Sequence, residues 1–107
     1  MKRIAIPVYE NRISNRLDCS KTIILYNLYR EKVESVETII LAQKNATAKL
    51  NMLLDLGIDV LICNGITDFY YNKLSKNNVQ VIPWINGEVE DVMDRYLKGR
   101  LHSIECR

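Results

Sequence analysis

The chain has 107 residues, 48% hydrophobic and 26% charged, which suits one soluble globular domain and leaves no room for two. Fifteen Lys and Arg against thirteen Asp and Glu give a formal net charge of +2, too weak a field for a nucleic-acid partner. No apolar stretch nears the roughly 20 residues that span a bilayer, and Met1 to Val8 is too short for the apolar part of a signal peptide, so a cytoplasmic protein without a membrane partner is expected.

Ile4, Ala5, Ile6 and Val8 form a short apolar run that ends at Glu10-Asn11-Arg12, and residues 3–8 are predicted as a first, buried strand. Thr22 to Tyr29 is rich in β-branched and aromatic residues, and Arg30-Glu31-Lys32 is short enough for a hairpin connection to a return strand over Val33 to Leu41. The apolar residues of that return strand do not alternate strictly, as at a bulge or an edge position.

From Asn45 the period becomes helical: Ala46, Leu50, Leu53 and Leu54 share a stripe, and Gly57 stands where a left-handed cap belongs. Ile58 to Cys63 is almost continuously apolar, the pattern of a central parallel strand, and Asn64-Gly65 ends it. Thr67 or Asp68 caps a second helix carrying Phe69, Tyr70 and Leu74, followed by a strand with Val79, Val81 and Ile82. A third helix places Val89, Val92, Met93, Tyr96 and Leu97 at i, i+3, i+4, i+7 and i+8 and stops at Gly99. Trp84, between the last strand and this helix, either walls a cleft or packs beneath the helix.

This order predicts an α/β fold in three layers: a five-stranded mixed sheet with one antiparallel strand, joined by right-handed crossovers and with helices on both faces. Residues 1–100 form the domain and 101–107 a tail. In open sheets of this kind ligands bind beyond the C-terminal ends of the parallel strands. That edge gathers Tyr9 to Cys19, Cys63 to Thr67 and Trp84 to Glu88.

Ile4-Ala5-Ile6-Pro7-Val8, Ile13-Ser14, Gly57 through Ile66, Val81-Ile82-Pro83-Trp84, Gly87 through Val92 and Tyr96-Leu97-Lys98-Gly99 follow one another in an order that resembles the dinitrogenase iron-molybdenum cofactor biosynthesis family. Its members include NifX, NafY and the tail domain of NifB. The resemblance implies a ribonuclease H-like fold that binds or carries an iron-sulfur cluster or iron-molybdenum cofactor precursor, with a protein donor or acceptor of that cargo as partner. In part of the family the loop after the first strand reads Ser-x-His-Phe, and its imidazole is a candidate cluster ligand. Here the loop reads Ser14-Asn15-Arg16-Leu17, so Ser14 matches and Arg16 replaces the His. A guanidinium has no lone pair for iron, and Arg16 would act by pairing with an anionic cluster.

Cys19, Cys63 and Cys106 are odd in number and widely spaced, which speaks for reduced thiols rather than a disulfide framework. Cys19 and Cys63 are the candidate metal ligands, because thiolates are the natural donors to iron-sulfur clusters. Within Leu61-Ile62-Cys63, however, a small buried hydrophobe is the heavier reading of Cys63. Asn64 and Gly65 would let the backbone come close to a bound anion, with Ser14 and Arg16 as polar and cationic contacts. His102 and Cys106 make at most half a tetrahedral site.

Enzymatic readings find little support. The first strand lacks the carboxylates of a two-metal nuclease, and a Ser-His-acid hydrolase would depend on His102 in the tail. Two functions from different classes remain: a non-enzymatic carrier of a metallocluster, and a cofactor-free interaction module that binds itself or a partner.

Overall fold

The apolar run near the start of the chain becomes the spine of the sheet. In a computed structural model, which describes residues 2–41, 45–99 and 101, β1 (Lys2–Tyr9) is buried on both faces from Ile4 to Val8. The other strands are β2 (Arg12–Ile13), β3 (Thr22–Tyr29), β4 (Lys32–Ile40), β5 (Val60–Ile62) and β6 (Gln80–Ile82). The helices are α1 (Ala46–Asp55), α2 (Asp68–Lys76) and α3 (Val89–Leu97). His102 and Cys106, weighed above as a half-site for a metal, lie outside the described residues.

Strand order is β4-β3-β1-β5-β6. β1 pairs in parallel with β5, and β5 with β6, whereas β3 is antiparallel to both β1 and β4. Along this path only β3 runs against its companions. The five expected strands are joined by a sixth, β2, which folds back on β1 through Val8 opposite Ile13. A two-residue turn makes this possible, with Glu10 in the left-handed region at φ 56°. Nothing in the apolar pattern marks so short a strand.

The period-two alternation of the strands sorts side chains into two cores. Ala5, Ile23, Leu25, Leu61 and Cys63 pack under Leu50 and Leu53 of α1 and Tyr70 and Leu74 of α2. Ile4, Ile6, Val60 and Ile62 pack under Val89, Val92 and Met93 of α3. Helices therefore cover both faces, two on one and one on the other.

The Asn45 side chain caps α1 by accepting a hydrogen bond from the Ala48 N–H at 2.7 Å. Gly57 closes the same helix at φ 67°. Thr67 precedes α2 without a side-chain cap, and of the apolar residues expected on this helix Tyr70 and Leu74 are buried whereas Phe69 is 39% exposed. Leu97 is likewise exposed at the end of α3. β4 is both the edge strand and bulged, with a register shift opposite Asn27 and Leu28.

At the N-terminal edge of the parallel strands Arg3 and Asp59 tie β1 to the start of β5. The Asp59 carboxylate accepts from the Arg3 N–H and the Asp59 N–H donates to the Arg3 carbonyl, each at 2.8 Å. No helix among the described residues is long and apolar enough to cross a membrane.

Candidate functional site

Three loops meet at the opposite edge, where β1, β5 and β6 end, and backbone hydrogen bonds join them. The Gly65 N–H donates to the Asn15 carbonyl and the Leu17 N–H to the Gly65 carbonyl, both at 2.8 Å, so 15–17 runs beside Gly65 like a short parallel strand. The Ile13 N–H donates to Gly87 at 3.0 Å and the Val89 N–H to Asn11 at 2.9 Å. The Trp84 N–H reaches the Asn64 carbonyl at 3.0 Å while Trp84 itself takes φ 63°, unusual for a bulky side chain.

This stitching decides what Asn64 and Gly65 do. The polar backbone groups of Gly65 are already engaged with the neighbouring loop, and a Cβ at this position would stand 2.8 Å from the Asn15 oxygen. Gly65 supplies the close backbone approach expected of it, but to another loop. Asn64 and Gly65 support the rim from behind.

In front of them lies an open cleft of about 570 Å³ lined by Arg12, Ser14, Asn15, Arg16 and Cys19 together with Tyr9, Glu10 and Ile13. Cys19 ends a 3-10 turn, Leu17–Cys19, and is exposed. The Arg16 guanidinium makes a forked ion pair with Asp18, Nε to Oδ1 at 3.0 Å and Nη2 to Oδ2 at 2.8 Å. Its carbonyl accepts from the hydroxyls of Ser14 at 3.3 Å and Ser20 at 2.7 Å. Arg16 thus presents a charge already half answered, and Arg12 adds a second cation to the same cleft.

Of its two sequence readings Cys63 takes the heavier, that of a small buried hydrophobe, and does not join Cys19 in one cleft. Its side chain is 0% exposed, packs in the core beneath α1 and α2, and lines neither cleft that contains Cys19. Burial pushes the thiol up to about 12, so at neutral pH it is protonated in the metal-free protein. Cys63 thus lies in the core, apart from the rim thiol. The rim keeps one thiol, and no group of three or more His, Cys, Asp or Glu placed to hold a metal ion occurs among the described residues.

Sequence reasoning missed Lys49. This α1 residue is 5% exposed, and its ammonium donates to the carbonyls of Asp18 and Ser20 at 2.9 Å and of Leu17 at 3.5 Å. It is the pin that holds the turn bearing Cys19 onto α1. The signal was present: Ala46, Lys49, Leu50 and Leu53 share one helical face, and a Lys on an apolar stripe needs a buried partner. Asp18 was missed too, although it stands two residues from Arg16.

The fold and the rim together define an α/β protein whose loop-built cleft carries two guanidiniums, one carboxylate and, among the described residues, a single thiol. Residues 1–99 match the family model described as dinitrogenase iron-molybdenum cofactor, and the chain belongs to this family. No curated protein matches the sequence. Among solved structures it is similar to PH0822, at 20% identity with 97% of this chain and 96% of that one covered and a TM-score of 0.89. It is also similar to the apo form of the orange protein from Desulfovibrio gigas, at 16% identity, 98% and 94% coverage and a TM-score of 0.78. The Thermotoga protein TM1290 matches at 22% identity, 100% and 97% coverage and a TM-score of 0.76. At these identities the likeness speaks for the fold.

Proposed function

We propose that this protein is a non-enzymatic cytoplasmic carrier that holds an anionic iron-sulfur cluster, or a precursor of the iron-molybdenum cofactor, at the rim built by residues 12–19. Membership of the family supports the class of cargo. The observation that carries the reading is the cleft itself, lined by two guanidiniums against the single carboxylate of Glu10, with a hydroxyl, an amide and one exposed thiol. The expected ribonuclease H-like arrangement is part of the same reading, with the cargo at the carboxyl ends of the parallel strands.

The donor set limits how the cargo is held. An iron-sulfur cluster bound wholly by protein takes four thiolates, and the cleft offers one. The residues fit a cluster that arrives with its own inorganic and organic ligands, attached by Cys19 and neutralised by Arg12 and Arg16. Such attachment is shallow, as a carrier requires that must pass its cargo to a protein acceptor.

Anaerobic incubation with iron and sulfide, or with a preformed cluster, followed by visible absorption and iron counting tests this. Bound iron is expected, falling several-fold in Cys19→Ala and unchanged in Cys63→Ala. Protein that stays colourless and iron-free under every loading condition overturns the reading.

A further inference from the structure

The two faces of the sheet are unequally covered. Beneath α1 and α2 the core extends to Ile23 and Leu25 of β3 and to Leu41. On the other face α3 closes over β1 and β5 and leaves β3 and β4 largely bare: Ile24 and Tyr26 are half-buried, Val36 is 53% exposed and Ile40 61%. Between this bare strip and α3 runs a groove of about 650 Å³ whose apolar floor includes Ile24, Tyr26, Val36, Met93 and Leu97.

The charge around that floor has one sign. Glu10, Glu88, Glu90 and Asp94 line the groove, and no Lys or Arg does. Asp94 is paired with Lys98 at 3.0 Å, whereas Glu10, Glu88 and Glu90 have no ion pair among the described residues. Burial and the neighbouring Glu90 charge together raise the pKa of Tyr26, in keeping with Glu90 lining the same groove. In a chain of net charge +2 this is a local segregation of acid.

We infer that this groove docks a basic amphipathic helix of a partner protein, which adds a second helix to a face on which α3 is the only helix among the described residues. An apolar floor between walls takes a helix by its apolar stripe, and a carboxylate rim selects Lys and Arg on the flanks of that stripe. The same rim repels nucleic acid and anionic membranes. It also disfavours a second copy of this chain presenting the same patch, since a two-fold contact would set the carboxylates against each other.

The test uses the full chain and two synthetic helices that share a Leu stripe, one carrying Lys and the other Glu at all remaining positions. The Lys helix is expected to shift the amide resonances of Ile24, Tyr26, Val36, Met93 and Leu97, and the Glu helix to leave them in place. Glu88→Gln with Glu90→Gln is expected to weaken the Lys helix by about tenfold at low salt, an effect that added salt removes. Val36→Ser, at an exposed position, is expected to weaken it without touching the charge. Shifts that map elsewhere, equal binding of the two helices, or an unchanged affinity in the double variant overturn the inference. So do self-association abolished by Val36→Glu, which would assign the groove to a second copy, and a gain in affinity on truncation after Leu101, which would assign it to the chain's own C-terminal residues. Glu10 stands at the border of both sites, but Ile24, Tyr26, Val36, Glu88, Glu90, Met93 and Leu97 do not line the Cys19 cleft, so loss of iron binding leaves this result standing.

Discussion

Cys19 and Cys63 show how far a residue's surroundings govern its chemistry. Burial raises Cys63 to about 12, above the roughly 8.5 of an unfolded thiol, so the folded state holds this proton more tightly. The resulting stabilisation is complete below about pH 8.5 and is lost as pH rises toward 12. Cys63→Ala is expected to cost about 1 to 2 kcal/mol at neutral pH and to flatten the alkaline decline in stability, read by denaturant melts across that range. In a Cys106→Ser background, a thiol reagent at neutral pH is expected to label Cys19 alone in the native protein and Cys63 only after unfolding. Two thiols reacting natively would contradict the burial described above. Both cysteines were visible as candidates in the sequence, yet neither neighbouring residues nor spacing says which end of a strand opens to solvent.

At the scale of elements, the hairpin joining β3 to β4 turns through Arg30 and Glu31, both in the left-handed region at φ 53° and 66°. A two-residue turn of this hand favours Asn-Gly, and an ordinary side chain there costs roughly 1 to 2 kcal/mol per residue. Arg30→Asn with Glu31→Gly is expected to stabilise the protein by about 1 kcal/mol, seen as a raised denaturation midpoint; a lowered midpoint would show that the Arg30 guanidinium over the Tyr29 ring, 5.3 Å from its centroid, is worth more than the relieved backbone. The hairpin was legible because two β-rich runs flank a short charged link. The helices were legible because Leu50 with Leu53, and Val89 with Val92 and Met93, repeat at helical spacing. Which of Phe69, Tyr70 and Leu74 is buried was not legible, because so few apolar residues do not fix the phase of a nine-residue helix. β2 was missed because two residues carry no period.

For the whole molecule, the rim is held by contacts between segments far apart in the chain, and Gly65 is the tightest of them. In Gly65→Ala the new Cβ would meet the Asn15 carbonyl oxygen at 2.8 Å, backbone against backbone, so the 15–17 loop must move. The expected loss is about 1 to 3 kcal/mol in a denaturant melt, with faster labelling of Cys19 as its turn loosens. Unchanged stability and unchanged Cys19 reactivity would mean that the loops are joined less firmly than their hydrogen bonds indicate.

By itself the sequence determined the order of the main strands and helices, the mixed sheet, the edge at which the loops converge and the family, because each is written in local periodicity, punctuation or ordered motifs. Only the tertiary structure decided that Cys63 belongs to the core and Cys19 to the rim, that Lys49 pins the Cys19 turn, and that an acid-lined groove lies beside α3. The physical reason is that exposure, pairing and proton affinity depend on what distant segments bring to within a few ångströms.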